Sequence, residues 1–170
     1  MDQFMLNDTR VFEANSQGGG AFGDLPEWDL SDLYASEDAA ELQADLTWLK
    51  QSCIDFSNDY EGKLAQLNAD EMLKAVERYE AIDIIAGRIM SFAGLRYYQL
   101  TTDPERAKFM SDMQDKLTEH TTKLVFYGLE FNRLDEEALS KLLSQNTALA
   151  RYKPVFDRMR AMKPYQLSDE

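Results

Sequence analysis

Histidine and cysteine occur once each in these 170 residues, as His120 and Cys53. A lone cysteine cannot close an internal disulfide, and the two residues together cannot build the thiolate-rich sets that hold structural zinc or iron–sulfur clusters. Their scarcity also excludes the two histidines, four residues apart on a helix, that a metallopeptidase uses to grip zinc. Positive charge is scarce as well: 18 lysines and arginines stand against 31 aspartates and glutamates, for a formal charge of −13. That field repels phosphate backbones, which excludes nucleic acid as a partner.

Long apolar runs are missing. The most apolar stretch, residues 81–98, contains Asp83, Arg88 and Arg96, which a lipid-spanning helix could not carry cheaply. It reads as a buried core helix, and no membrane partner is expected. Residues 1–10 include Asp2 and Asp8, one basic residue and no apolar run behind them. They predict neither a secretory signal nor a transit peptide, and a cytoplasmic location is expected. β-branched residues are sparse, and no clean apolar–polar alternation is bounded by turn dipeptides, so strands are not expected. The fold class is all-α: an antiparallel helical bundle with long central helices, since no fixed-period repeat points to a solenoid.

Residues 1–24 are polar, end near the Gly18-Gly19-Gly20 run and show neither helical nor strand period. They predict a flexible N-terminal tail, and residues 25–170 one helical domain. Gly18 to Gly20 lack the preceding strand and the Lys-Ser/Thr of a phosphate loop, so a linker is the better reading. In the segment from Leu25 to Tyr34, Pro26 blocks a helix, yet Trp28, Leu30, Leu33 and Tyr34 are costly to leave wet. An ordered strap lying on the domain is expected.

Ser36, followed by Glu37 and Asp38, predicts a helix N-cap with first-turn acids. Leu42, Leu46, Leu49, Cys53, Phe56 and Tyr60 then step by four and three along one face, with Gly62 as a stop. Asn68 and Glu71 form a near capping box for a second helix running to about Leu100, ~45 Å long and apolar almost all round at its middle. Other helices are expected to surround it, with a tight crossing at the small residues Gly87, Ser91 and Gly94. Asp103-Pro104 opens a third helix whose face is traced by Met110, Met113, Leu117, His120, Leu124, Tyr127 and Phe131. Shorter helices are expected after Asp135 and after Asn146.

The candidates for chemistry are few. His120 lies inside the apolar stripe and reads as a half-buried packing residue rather than a lone ligand or base. Cys53 lies on a Leu/Phe stripe, where desolvation raises a thiol's pKa and makes it inert. Asp135-Glu136-Glu137 is explained by capping rather than by an acid–base dyad. Met72, Met90, Met110 and Met113 read as core filler rather than a soft-metal site. No catalytic residue, no metal ligand and no cofactor is assigned to this chain, and its substrate-binding residues stay unassigned. Ser168-Asp169-Glu170 resembles an N-cap with two first-turn acids, predicting a helix beyond the last residue; an ordinary acidic tail is the alternative.

Three marks resemble the oligoendopeptidase F family of zinc metallopeptidases: Trp28-Asp29-Leu30-Ser31-Asp32-Leu33-Tyr34, the stretch from Leu95 to Pro104 containing Tyr97-Tyr98, and the ending from Lys163 to Glu170. Their order spans residues 25–170. The resemblance implies an amino-terminal helical domain that walls a peptide channel, with oligopeptide as substrate of the parent enzyme. It also implies a missing catalytic domain, bearing H-E-x-x-H and zinc, as partner. No zinc ligand or general base of that family has a matching position here. The competing reading is a stand-alone helical interaction module that binds a partner helix or peptide; an enzyme using carboxylates alone is the remotest. Of Tyr97 and Tyr98, about 100 degrees apart round a helix, one is expected to pack inward and the other to face out.

Overall fold

The computed structural model describes residues 27–166. The tail expected over residues 1–24 and the Ser168-Asp169-Glu170 cap lie outside them. Among the described residues the helices are α1 (Ala40–Tyr60), α2 (Ala69–Gln99), α3 (Pro104–Thr121), α4 (Val125–Arg133), α5 (Glu136–Gln145), α6 (Thr147–Ala150) and α7 (Lys153–Arg160). Short 3-10 turns cover Leu64–Gln66, Thr122–Leu124 and Lys163–Tyr165, and the described residues contain no strand. The fold is all-α.

Local chemistry sets most helix starts. The Asn68 side chain accepts from the Asp70 and Glu71 backbone N–H groups, while the Glu71 carboxylate reaches back to the Asn68 N–H at 2.9 Å. That reciprocal box satisfies donors that a helix start leaves orphaned. The Asp103, Asp135 and Asn146 side chains each accept from two backbone N–H groups at the starts of α3, α5 and α6, without the reciprocal bond. The helix predicted at Ser36 begins later, at Ala40. The Ser36 hydroxyl donates to Asp38 Oδ1 at 2.6 Å, and Glu37 is drawn 3.2 Å from Arg96 on α2. With both side chains engaged elsewhere, residues 36–39 form a turn. Gly62 follows the end of α1 at φ 75°, a conformation that side-chain-bearing residues rarely adopt, and its N–H donates to Glu130 Oε1 at 2.6 Å.

The face of α1 buries Leu42, Leu46, Leu49, Cys53 and Phe56 as its spacing requires. Asp59 pairs with Arg78 and Asp45 with Arg88, so α1 and α2 run in opposite directions. Phe92 meets Phe109 edge-on, and Arg106 donates to the Arg96 carbonyl, which orders α3 against α2 in the same antiparallel sense. Helix α2 belongs to two cores. Its Ile82, Ile89, Phe92 and Ala93 join α1, α3 and Tyr34 in the first. Its Ala69, Met72 and Val76 join Phe131, Leu139, Leu149 and Phe156 in the second. A run of rings links them: Tyr79 stacks on Tyr127 at 4.5 Å, Tyr127 lies 6.2 Å from Phe131, and Phe131 lies 4.6 Å from Phe156.

The apolar stripe expected to run unbroken from Met110 to Phe131 is interrupted by the turn Thr122–Leu124. The hydroxyls of Thr118, Thr121 and Thr122 each donate to the carbonyl four residues back. Such back-bonding competes with the helical ladder and bends it. Leu124, Tyr127 and Phe131 still reach the interior, because the turn re-aims α4.

Three further expectations are corrected. Helix α2 is not enclosed: Ile84 is 62% exposed and Gly87 and Ser91 are open to solvent. Among the described residues there is no tight crossing at the small residues, since a Cβ on Gly87 would meet nothing within 4 Å and one on Gly94 would meet only the Tyr98 ring. In the strap, Tyr34 is buried and Leu30 and Leu33 are half-buried, but Trp28 is 67% exposed. Leu30 and Leu33 reach the first core, whereas the Trp28 ring lies beyond the edge of the packed surface.

Candidate functional site

The residues that could carry chemistry are held apart by the fold. Cys53 is buried on α1, and burial pushes its thiol up to about 11. That removes the thiolate a nucleophile would need. His120 is half-buried near the end of α3. The Asp135 carboxylate accepts from the Glu137 and Ala138 N–H groups as a cap, with Glu136 reaching Arg160 at 3.0 Å. Met72 and Met113 are buried and Met90 is packed against the first core, as filler. Among the described residues no group of three or more His, Cys, Asp or Glu could hold a metal ion.

The most built polar arrangement anchors the strap. Arg88 projects from α2 with its guanidinium carbon 4.2 Å from the Tyr34 ring centroid, donates to Asp45 Oδ2 at 3.1 Å and donates a short bond to the Leu33 carbonyl. The Tyr34 hydroxyl donates to the same carboxylate oxygen at 2.6 Å, and its ring meets Phe92 edge-on at 5.3 Å. Burial, then the bond to Asp45, holds the phenol far above its ordinary range, so the hydroxyl keeps its proton. This cluster ties strap, α1 and α2 with charge-assisted bonds and a cation–π contact. Sequence reasoning placed Tyr34 in the interior but had no signal for Arg88, whose partners lie 43 and 55 residues away.

Beside the strap opens a cleft of about 640 Å³, lined by Trp28, Leu30, Phe92, Arg96, Gln99 and Arg106 among others. Its cations are engaged: Arg96 with Glu37 at 3.2 Å, Arg106 with Asp103 at 3.5 Å. Gln99 donates to the Trp28 carbonyl at 3.0 Å. The cleft can fix the strap, and the hydroxyl–carboxylate pair on its lining, Ser36 and Asp38 at 2.6 Å, belongs to the exposed turn before α1. Of the two adjacent tyrosines, Tyr97 is half-buried and Tyr98 is 67% exposed, the division their angular offset requires. With Ile84, Gly87 and Ser91, Tyr98 continues one open side of α2.

The family model described as Oligopeptidase F matches residues 130–170. The plasmid oligoendopeptidase F of Lactococcus lactis subsp. cremoris is 24% identical over 150 residues, covering 86% of this chain and 24% of the relative. The oligoendopeptidase F homolog of Lactococcus lactis subsp. lactis strain IL1403 is 24% identical over 143 residues, covering 84% of this chain and 23% of that protein. The chain thus spans about a quarter of the length of the curated relatives it matches. No solved structure matches it significantly. With the family model at one end and the relatives along most of its length, the chain is similar to the amino-terminal domain of the oligoendopeptidase F family.

Proposed function

We propose that this chain is the non-catalytic amino-terminal domain of a cytoplasmic zinc-dependent oligoendopeptidase, forming part of the wall of a channel that admits short peptides. The observation that carries the proposal is the match over 86% of this chain to 24% of a relative named as an oligoendopeptidase. Helices that cap locally and pack on two aromatic-linked cores suit a wall, which must keep its shape while peptides move past it. No described helix is long and apolar enough to cross a membrane.

Zinc would supply activated water for peptide hydrolysis in such a parent. The residues here do not fit it. The nitrogen and thiolate donors that zinc prefers are limited to one histidine and one cysteine; Cys53 is sealed in the first core with its proton held on, and a zinc site needs several deprotonated ligands. No step of hydrolysis is therefore assigned to these side chains, and the zinc site falls to the missing catalytic domain. The second reading, a stand-alone module that binds a partner helix or peptide, draws support from the open side of α2.

Sequencing the gene beyond the codon for Glu170 separates the two. The proposal expects an open frame that encodes H-E-x-x-H. A stop codon there overturns it and favours the module.

A further inference from the structure

The side of α2 that bears Ile84, Gly87, Ser91 and Tyr98 is treated differently along its length. Toward the N-terminal half the C-terminal helices cover it: Tyr152 donates from the start of α7 to Glu80 at 2.8 Å, Asn146 reaches Asp70 at 2.7 Å, and Leu73 packs into the second core. From Ile84 to Tyr98, ~20 Å of helix at the usual rise, no other described helix covers it. Ile84 is 62% and Tyr98 67% exposed.

The composition of the bare part departs from the rest of the surface. In a chain of charge −13, the exposed positions of this stripe are Ile84, Gly87, Ser91 and Tyr98, none of them charged. Depletion of charge with an aromatic and an aliphatic side chain left wet marks the centre of an interface rather than a solvated helix face. Gly87 and Ser91 cost helix propensity, and the open space at Gly87 lets another backbone approach closely there. The relatives provide the occupant, because they are about four times as long as the part this chain matches.

We propose that the bare side of α2 from Ile84 to Tyr98 is the seat on which the remaining, catalytic part of the longer polypeptide packs through an apolar, uncharged surface of its own. The inference rests on the function proposed above and adds to it the face that meets the catalytic domain. Its charge pattern orients the domain: the strongly acidic remainder of the surface stays in water while the uncharged stripe is dehydrated.

Hydroxyl-radical footprinting of the 170-residue chain and of the full product of its gene tests this. Severalfold protection of Ile84 and Tyr98 in the longer product, relative to the 170-residue chain, is the expected result. Equal reactivity in a longer product overturns the seat and leaves the proposed function standing, whereas a gene product no longer than this chain overturns both. Protection already present in the 170-residue chain, with a doubled mass in light scattering, gives the face to a second copy and also overturns the seat. A Gly87→Arg variant guards against misfolding as an explanation. In the 170-residue chain it is expected to leave the melting temperature unchanged or slightly raised, because a Cβ there meets open space and arginine is the better helix former. In the longer product it is expected to return Ile84 and Tyr98 to the reactivity of the free chain. Protection that survives Gly87→Arg overturns the proposal.

Discussion

Replacing Tyr34 by alanine tests whether the strap is part of the cooperative fold or merely lies against it. The side chain is buried, with its ring edge-on to Phe92 at 5.3 Å, its face 4.2 Å from the Arg88 guanidinium carbon and its hydroxyl 2.6 Å from Asp45. Truncating a buried aromatic costs about 3–5 kcal/mol, a figure that already includes the cation–π attraction of Arg88 for the ring. Tyr34→Phe isolates the hydroxyl. It removes one bond to a carboxylate, worth about 1.5–3 kcal/mol at most, and leaves Asp45 its partner Arg88. For a chain of this size 1 kcal/mol moves the melting temperature by roughly 2–4 °C, so Tyr34→Ala is expected to lower it on the order of 10 °C and Tyr34→Phe by about half as much. Urea unfolding gives the free energies, and amide exchange at Leu33 and Tyr34, whose N–H groups donate to the Leu30 carbonyl, reports the strap itself. A loss below about 1 kcal/mol for Tyr34→Ala, with exchange at those amides unchanged, would refute the reasoning.

Two further outcomes follow from the same packing. Cys53 has a folded-state thiol pKa raised to about 11 from an ordinary value of 9.0 by burial. Because the folded value is the higher one, its contribution is fully present below pH 9.0 and is lost as pH rises toward 11. Urea midpoints should be flat to about pH 8 and fall above it, with the Tyr34 and Tyr127 phenols, also raised by burial, adding to the fall at higher pH. A disulfide reagent that modifies Cys53 in the native chain as fast as in the unfolded one would contradict the burial. Asn68→Ala should cost about 1–2 kcal/mol, because both the Asp70 and Glu71 N–H groups lose their acceptor, while Asn68→Asp should be nearly silent. Equal destabilisation by the two variants in urea would show that the box is not what stabilises the start of α2.

What could be read from the residues alone was what depends on neighbours a few positions away. A side-chain oxygen that bonds the N–H two or three residues on is local chemistry, so Asn68, Asp103, Asp135 and Asn146 each start a helix as predicted. Periodic apolar faces are local in the same sense, and Leu42, Leu46, Leu49, Cys53 and Phe56 are buried as their spacing demands. The all-α class, the helix capping at Asp135 and the burial of Cys53 were therefore legible in the order of the residues. The tertiary structure decided the rest. Ser36 failed as a cap because Glu37 goes to Arg96, 59 residues away. The strap is fastened by Arg88 through partners on two other segments, the strap itself and α1, and no local pattern encodes such a meeting. Gly87, Ser91 and Gly94 show the limit most clearly. Spacing placed small residues on α2, but whether another backbone fills the space beside them depends on chain distant in sequence; within the described residues the space beside Gly87 is open and that beside Gly94 is taken by the Tyr98 ring.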